Sequence, residues 1–347
     1  MFPSLMVSVK PTLQSKEYTA SVCSKMRSEL DKELKKVLQL PPNELTEWLI
    51  QQGLIRAEQK CHTHLDSNYQ PIPFQLGIYS DSSKFPNSGG YVWVSECCGQ
   101  RHLSVFAGSI FEGVPHTPKT ILKLIYHWAC QTSTTNIAQW VHVTMNYIKT
   151  FHTAMRAVCI ASVHEKLKGL GGDKKDVEVA IMTLGTSSND GRLKQVKVEI
   201  LGVLDQEKNI VRLFAAEPPQ KILGAATSAK RDYRQILRPL ADWVDKRSVI
   251  VTDLSIDRNY LLELGFPSVK QSTARSDFVL RIVEYLSSSI PRSFQNVLPA
   301  LNRPLIQQYL DEISWREAFG PSPLQAFKNF VIHLAEITKL ELGCKKG

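Results

Sequence analysis

The sequence predicts an α/β protein with its strands gathered in the second half of the chain. Three observations predict this. Residues before 167 return repeatedly to a 3.6-residue apolar period, interrupted by a loop-rich tract of cysteine and histidine. A glycine- and charge-rich stretch, KGLGGDKKD (168–176), then reads as a linker at a change of pattern. Beyond it come three β-prone runs, a helical segment, a fourth β-prone run and more helical segments.

Residues 14–40 are rich in Lys, Glu and Leu and predict a helix that Pro41 and Pro42 end. Asn43 is a candidate cap for a short helix with Leu45, Trp48 and Leu49 on one face, stopped by Gly53. Residues 61–104 mix Cys, His, Gly, Pro and Ser with short β-prone pieces such as GYVWV, the composition of a small metal-clipped or loop-rich module. In 117–166, Thr117 is a cap and Pro118 takes the first helical position. Ile121, Leu124, Ile125 and Trp128 then follow the helical period. The segment NIAQWV follows, and Thr144 caps a longer helix with Tyr147, Ile148, Phe151, Met155, Val158 and Cys159 on one face. Three helices at this spacing suit a helix-turn-helix unit.

The strands are VEVAIMT, VKVEILGVLD and IVRLFAA, then a helix near 227–245 and the strand SVIVTD. Helices are expected near 255–264, 276–288, 303–318 and 323–338. Three strands, a helix, a strand and then helices is the order of a ribonuclease-H-like domain, an order that other α/β folds share. The expected divisions are 1–55, 56–106, 107–167 and 176–340.

With 347 residues, 43% hydrophobic and 22% charged, the chain can bury the cores of two domains and is not of disordered composition. No apolar run reaches the roughly 18–20 residues of a membrane span, and Met1 to Lys10 carries no secretory cleavage pattern, so no membrane partner is expected. A net charge of +9 suits a polyanion, because cations that neutralise phosphates release counterions. The seven cysteines are odd in number and irregular in spacing, which predicts reduced thiols in an intracellular compartment.

Four segments resemble the Merlin transposases of animals and their bacterial insertion-sequence relatives of the ISXO type. They are GLIRAEQKCHTH (53–64), GSIFEGVPHTPKTILKLIYHWA (108–129), VIVTDLSIDRNYLLELGFPSVKQS (249–272) and QQYLDEISWREAFGPSPLQAFKNFV (307–331). In order and spacing they cover roughly residues 50–335. The resemblance implies a ribonuclease-H-like DDE transposase core preceded by a zinc ribbon and a helix-turn-helix region. Such a core cuts DNA with two metal ions held by three converging carboxylates.

Residue by residue, the catalytic centre is degenerate. Asp253 occupies the family's second acid position at the end of VIVTD. Ala180 stands at the first, with Glu178 two residues earlier on the same strand face. Leu280 stands at the third, with Asp277 and Glu284 off register, and Val283 and Ser287 replace the family's tryptophan and lysine. A lone aspartate leaves Mg²⁺ in water, so no Mg²⁺ site is expected. The alternative is an unorthodox nuclease site from Asp253, Glu284 and a third acid such as Asp257. The implied zinc ribbon has also drifted, since Ser95 replaces a cysteine. Zn²⁺ could be held by Cys61, His64, Cys98 and His102, or by Cys61, His64, Cys97 and Cys98.

DNA is the expected partner, reached through Lys119, Lys123, Lys149, His152 and Arg156, with His127 also near the polar faces. A second basic set is Lys221, Lys230, Arg231, Arg234, Arg238, Lys246 and Arg247. The expected product is a nuclear, DNA-binding, catalytically inactive transposase derivative. A homodimer, or a protein-interaction scaffold on the same fold, is the other expectation.

Overall fold

In the computed structural model, residues 20–99, 102–187, 194–217, 233–272, 279–295 and 297–340 are described. The chain is α/β and forms two compact units. One holds Ala20–Ile148 and the chain from Ser322 onward; the other holds Lys149–Pro321.

The first unit begins with α1 (Ala20–Gln39), whose Leu30 and Leu34 are buried one turn apart, and α2 (Pro42–Gln51). Asn43 does not cap α2. Proline at the first helical position moves the start to Pro42, and Pro41 is the cap residue. Five short strands follow: β1 (Lys60–Leu65), β2 (Pro71–Pro73), β3 (Gln75–Ile78), β4 (Tyr91–Val94) and β5 (His102–Ser104). β1 and β2 form one antiparallel pair, and β3–β4–β5 a separate antiparallel sheet. Gly89, at φ +65°, brings this module against α2: an added Cβ would lie 2.4 Å from the Asn43 backbone nitrogen. The Thr46 hydroxyl secures the contact by donating to the Ser88 carbonyl at 3.1 Å.

The helices α3 (Pro118–Ala129) and α4 (Thr134–Val141) complete the unit with the C-terminal helix (Pro323–Leu340). Thr117 caps α3, accepting the Thr120 N–H at 3.3 Å. Ile121, Leu124, Ile125 and Trp128 are all buried, and the Trp128 ring lies 4.8 Å from Phe330 of the C-terminal helix. The next helix, α5 (Met145–Lys166), is capped by Thr144, which accepts the Tyr147 N–H at 3.3 Å.

The second unit is built on a five-stranded sheet of β6 (Asp176–Ser187), β7 (Lys194–Asp205), β8 (Ile210–Ala216), β9 (Val249–Asp253) and β10 (Ser268–Ser272). Spatial order is β10-β9-β6-β7-β8. The first three strands pair antiparallel as successive neighbours, and β9 and β10 run parallel to β6 on its other side. The expected linker is packed rather than loose: Leu170 is buried, bridges to Val244, and the Gly171 N–H donates to buried Asp205 at 2.8 Å.

Both faces of the sheet are covered. Side chains alternate along a strand. Val177, Val179, Leu201 and Val203 therefore form one core with residues of α6 (Arg234–Leu237), α7 (Leu240–Trp243) and α8 (Arg258–Glu263). Of the single helix expected near 227–245, the described part is two short turns broken at Pro239; residues 218–232 lie outside the described chain. On the opposite face Ala180, Ile200 and Leu204 pack with α9 (Arg281–Phe294) and α10 (Arg303–Phe319). Gly202, paired with Ala180, lets α9 approach: a Cβ there would meet Ile282 Cδ1 at 2.8 Å. Gln307 of α10 closes the edge of β8, accepting the Ala215 N–H at 2.7 Å and donating to the Leu213 carbonyl at 3.2 Å. Among the described residues no helix is long and apolar enough to cross a membrane.

Candidate metal centre

The first unit brings four ligand side chains together. Cys61 and His64 lie three apart on β1, which on a regular strand would place them on opposite faces. The β1–β2 pairing is irregular between Lys60 and Leu65, and such a break shifts the alternation. Cys61 Sγ then lies 3.5 Å from His64 Nδ1 and accepts the backbone N–H groups of Thr63 and His64, both at 3.4 Å. Cys97 and Cys98 follow β4 in a turn, with Gly99 at φ +66°. Cys98 Sγ is 3.3 Å from His64 Nδ1, 3.5 Å from Cys61 Sγ and 3.8 Å from Cys97 Sγ.

The distances fit a tetrahedral ion. Bonds of about 2.3 Å to sulfur and about 2.0–2.1 Å to nitrogen imply edges of about 3.8 Å between sulfurs and about 3.6 Å between sulfur and nitrogen. All four ligand atoms lie within 4.8 Å of one another. The cluster could hold a metal ion such as zinc. Its electrostatics suit that role, because backbone donation from Thr63, with His64 and Cys98 assisting, takes the Cys61 thiol down to about 6. The thiolate, not the thiol, is the ligand.

The fourth corner is Cys97, not His102. His102 sits on the exposed edge strand β5 with its ring edge-on to Tyr79 at 4.8 Å. Ser95, where the resemblance implies a cysteine, shapes the turn that carries Cys97 and Cys98. Its Oγ accepts the Cys98 N–H at 3.1 Å, as Cys61 Sγ accepts that of His64 three residues on. Ser95 thus keeps the turn while Cys97 supplies the sulfur. The adjacent cysteines in CC (97–98) were the available signal. No disulfide forms among the described cysteines.

Among the described residues, the carboxylates near the acid positions do not gather into a metal site. Asp253 ends β9, one level beyond the Val179–Thr252 pair and so level with Ala180. Its carboxylate accepts the Ser255 N–H at 2.9 Å and the Ser255 hydroxyl at 2.5 Å. Ala180 and Leu280 are both buried in the α9 core. Glu178 is no stand-in ligand: fully buried, it accepts the Ile282 N–H at the start of α9 at 2.7 Å and a bond from Gln206. Asp257 caps α8, Glu284 is exposed in the first turn of α9, and Asp277 lies outside the described residues. Among the described residues, the cysteine–histidine cluster is the one group of three or more such ligands placed to hold an ion.

Of the basic candidates, Lys123 and Lys149 are exposed and Lys119 half-buried. His152 and Arg156 are corrections, being only 5% and 8% exposed. Both turn into the second unit, where Arg156 stacks on Tyr309 at 4.6 Å and so cannot double as a phosphate contact. Burial, then the charges of Arg156 and Arg316, hold His152 down at about 4. In the second basic set, Arg247 pairs with Asp245, Lys246 donates to the Leu264 carbonyl, and Arg234 lies over Tyr260. Lys221, Lys230 and Arg231 lie outside the described residues.

The His152 environment predicts a pH dependence. A histidine near 4 when folded and about 6.5 when unfolded lets the unfolded state bind more protons between those values. Its stabilising contribution is complete above pH about 6.5 and is lost as pH falls toward about 4. Relative to His152→Gln, the wild-type protein should lose about 3 kcal/mol over that window. Denaturant unfolding of both proteins at its two ends measures the difference, and parallel pH profiles would refute it.

Neither a protein-family model nor a curated protein matches this chain.

Proposed function

We propose that this is a nuclear, transposase-derived DNA-binding protein whose ribonuclease-H-like core, of the Merlin type, keeps its fold and has lost its cutting chemistry. One arrangement carries the reading. Asp253 stands at a strand end level with Ala180, while Ala180 and Leu280 contribute to the core that α9 covers. The order of three antiparallel strands, a helical connection and two parallel strands accords with the core that the resemblance implies. One carboxylate cannot hold a pair of hard cations.

The cysteine–histidine cluster holds a structural zinc ion in this reading. Four nitrogen and sulfur donors leave no open coordination position, the mark of a site that folds a module rather than one that performs chemistry. The helices α3, α4 and the start of α5, joined by short turns, form the helix-turn-helix region. Lys119 and Lys123 are its phosphate contacts, and Lys149, the first residue of the second unit, is a further one.

A mobility-shift assay with duplex DNA, with and without Mg²⁺, tests both halves of the reading. Three phosphate contacts predict affinity falling by about 40-fold between about 50 and 200 mM salt, from a slope of roughly −0.9 per contact. No cleaved product is expected in either condition. Absence of salt-sensitive binding would sink the DNA half, and Mg²⁺-dependent nicking abolished by Asp253→Ala would sink the inactive half.

A further inference from the structure

Trp140, at the end of α4, is 57% exposed. It does not belong to a broad apolar face, since the other exposed α4 positions are Thr135, Asn136 and Gln139. Its ring lies 5.7 Å from that of His127 on α3, which itself meets Tyr126 edge-on at 5.0 Å. Lys123 is one turn before His127 and exposed. His127 is held below its ordinary value by burial and then by the positive charges of Arg27 and Lys123, which places both cations in reach of the ring. An indole backed by an imidazole, with the Lys123 cation one turn away on α3, is thus presented to solvent.

A groove runs beside this platform between α1 and α3. Leu34 and Leu38 supply its apolar lining, and Lys35 and Lys123 its charge. The carboxylate within it, Asp31, is engaged by the Tyr126 hydroxyl at 2.6 Å. The surrounding sequence is selective in the same direction. Between Glu112 and Glu165 the chain runs 52 residues without an aspartate or glutamate, where 33 acids in 347 residues would place about five. A protein partner is met by mixed charge, whereas cations and an open aromatic face, with Asp31 the one carboxylate lining the groove and that one engaged by Tyr126, complement a polyanion that carries π-faces.

We infer that the α3–α4 surface binds unpaired nucleic acid, with one base stacked on Trp140 and neighbouring phosphates held by Lys123 and Lys35. The inference rests on the DNA-binding reading above and names the form of nucleic acid this surface takes. Bases inside a duplex are already stacked and hidden, so an exposed indole selects strands whose bases are free.

The test compares wild type, W140A and W140F as full chains against a labelled oligo-dT of about 15 nucleotides and a duplex of equal length. Loss of one stacked base predicts that W140A weakens oligo-dT binding by about 5- to 150-fold. Duplex affinity should change less than about twofold, since phosphate contacts carry it. W140F, which keeps a π-face, should retain most of the oligo-dT affinity, and unchanged melting of both variants excludes misfolding. If wild type binds duplex but W140A leaves oligo-dT affinity unaltered, this inference falls and the DNA-binding reading stands. If wild type binds neither probe, both fall. If W140A instead dissociates a dimer in sedimentation without altering oligo-dT affinity, the surface is a self-association interface and the inference is overturned.

Discussion

Cys98→Ser is expected to lose bound metal and destabilise the 60–104 module, while His102→Ala should keep a full equivalent of metal. Cys98 touches all three other members of the cluster, at 3.3 to 3.8 Å, so its removal opens every adjacent edge of the tetrahedron. His102 packs on Tyr79 and contributes nothing to that set. A structural ion adds about 4 kcal/mol when its free concentration is about 1,000 times its dissociation constant, and ligand loss removes that term. Cys97→Ser and Cys61→Ser should behave as Cys98→Ser. Elemental analysis of metal per chain, with thermal melts before and after chelation, measures both effects. Retention of metal by Cys97→Ser together with its loss in His102→Ala would assign the fourth corner the other way.

Placing acids at the two positions where the proposed ancestry implies them is expected to break the protein rather than give it activity. Ala180→Asp places a carboxylate in the apolar cluster that contains Ile282 and Leu286. An uncompensated buried charge costs about 3–5 kcal/mol, even though the group takes up a proton to reduce the penalty. Gly202 shows how closely α9 lies, since even a methyl group there would crowd Ile282. By contrast, Asp253→Ala removes two exposed turn bonds from Ser255 and should cost about 1 kcal/mol. Denaturant unfolding of the two variants gives the ranking. If Ala180→Asp with Leu280→Glu folded at wild-type stability and nicked DNA with Mg²⁺, the two positions would still be open to a metal and the closed apolar seam would be refuted.

Local chemistry made much of this molecule legible in advance. The caps at Thr117 and Thr144 could be named because a hydroxyl before an apolar helical run satisfies amides within three residues of it. The strands β6 to β9 could be named because their apolar runs are long enough to be buried on both faces. β10 escaped the pattern: SVKQS is a half-exposed edge strand with one large apolar side chain, so it has almost no alternation to read. His152 and Arg156 escaped for a different reason. A polar residue beside a helix's apolar stripe reads as solvent-facing, and the aromatic and charged groups that receive these two lie on α10, some 150 residues later.

The candidate metal centre divides in the same way. The sequence by itself offered Cys61 and His64 as one half of a candidate site and Cys98 as part of the other, because short ligand spacing is a local property. It favoured His102 over Cys97 for the fourth corner, because adjacent cysteines are awkward ligands for one ion. Only the tertiary structure decided between them: the turn after β4, held by Ser95, brings Cys97 Sγ to 3.8 Å from Cys98, while pairing with β4 carries His102 away to Tyr79. Likewise, the alanine at 180, where the resemblance implies an acid, was visible in the sequence, but the closed apolar seam around it was not. Which side chains fill a vacated position depends on contacts between strands and helices far apart in the chain, and that information resides in the packing.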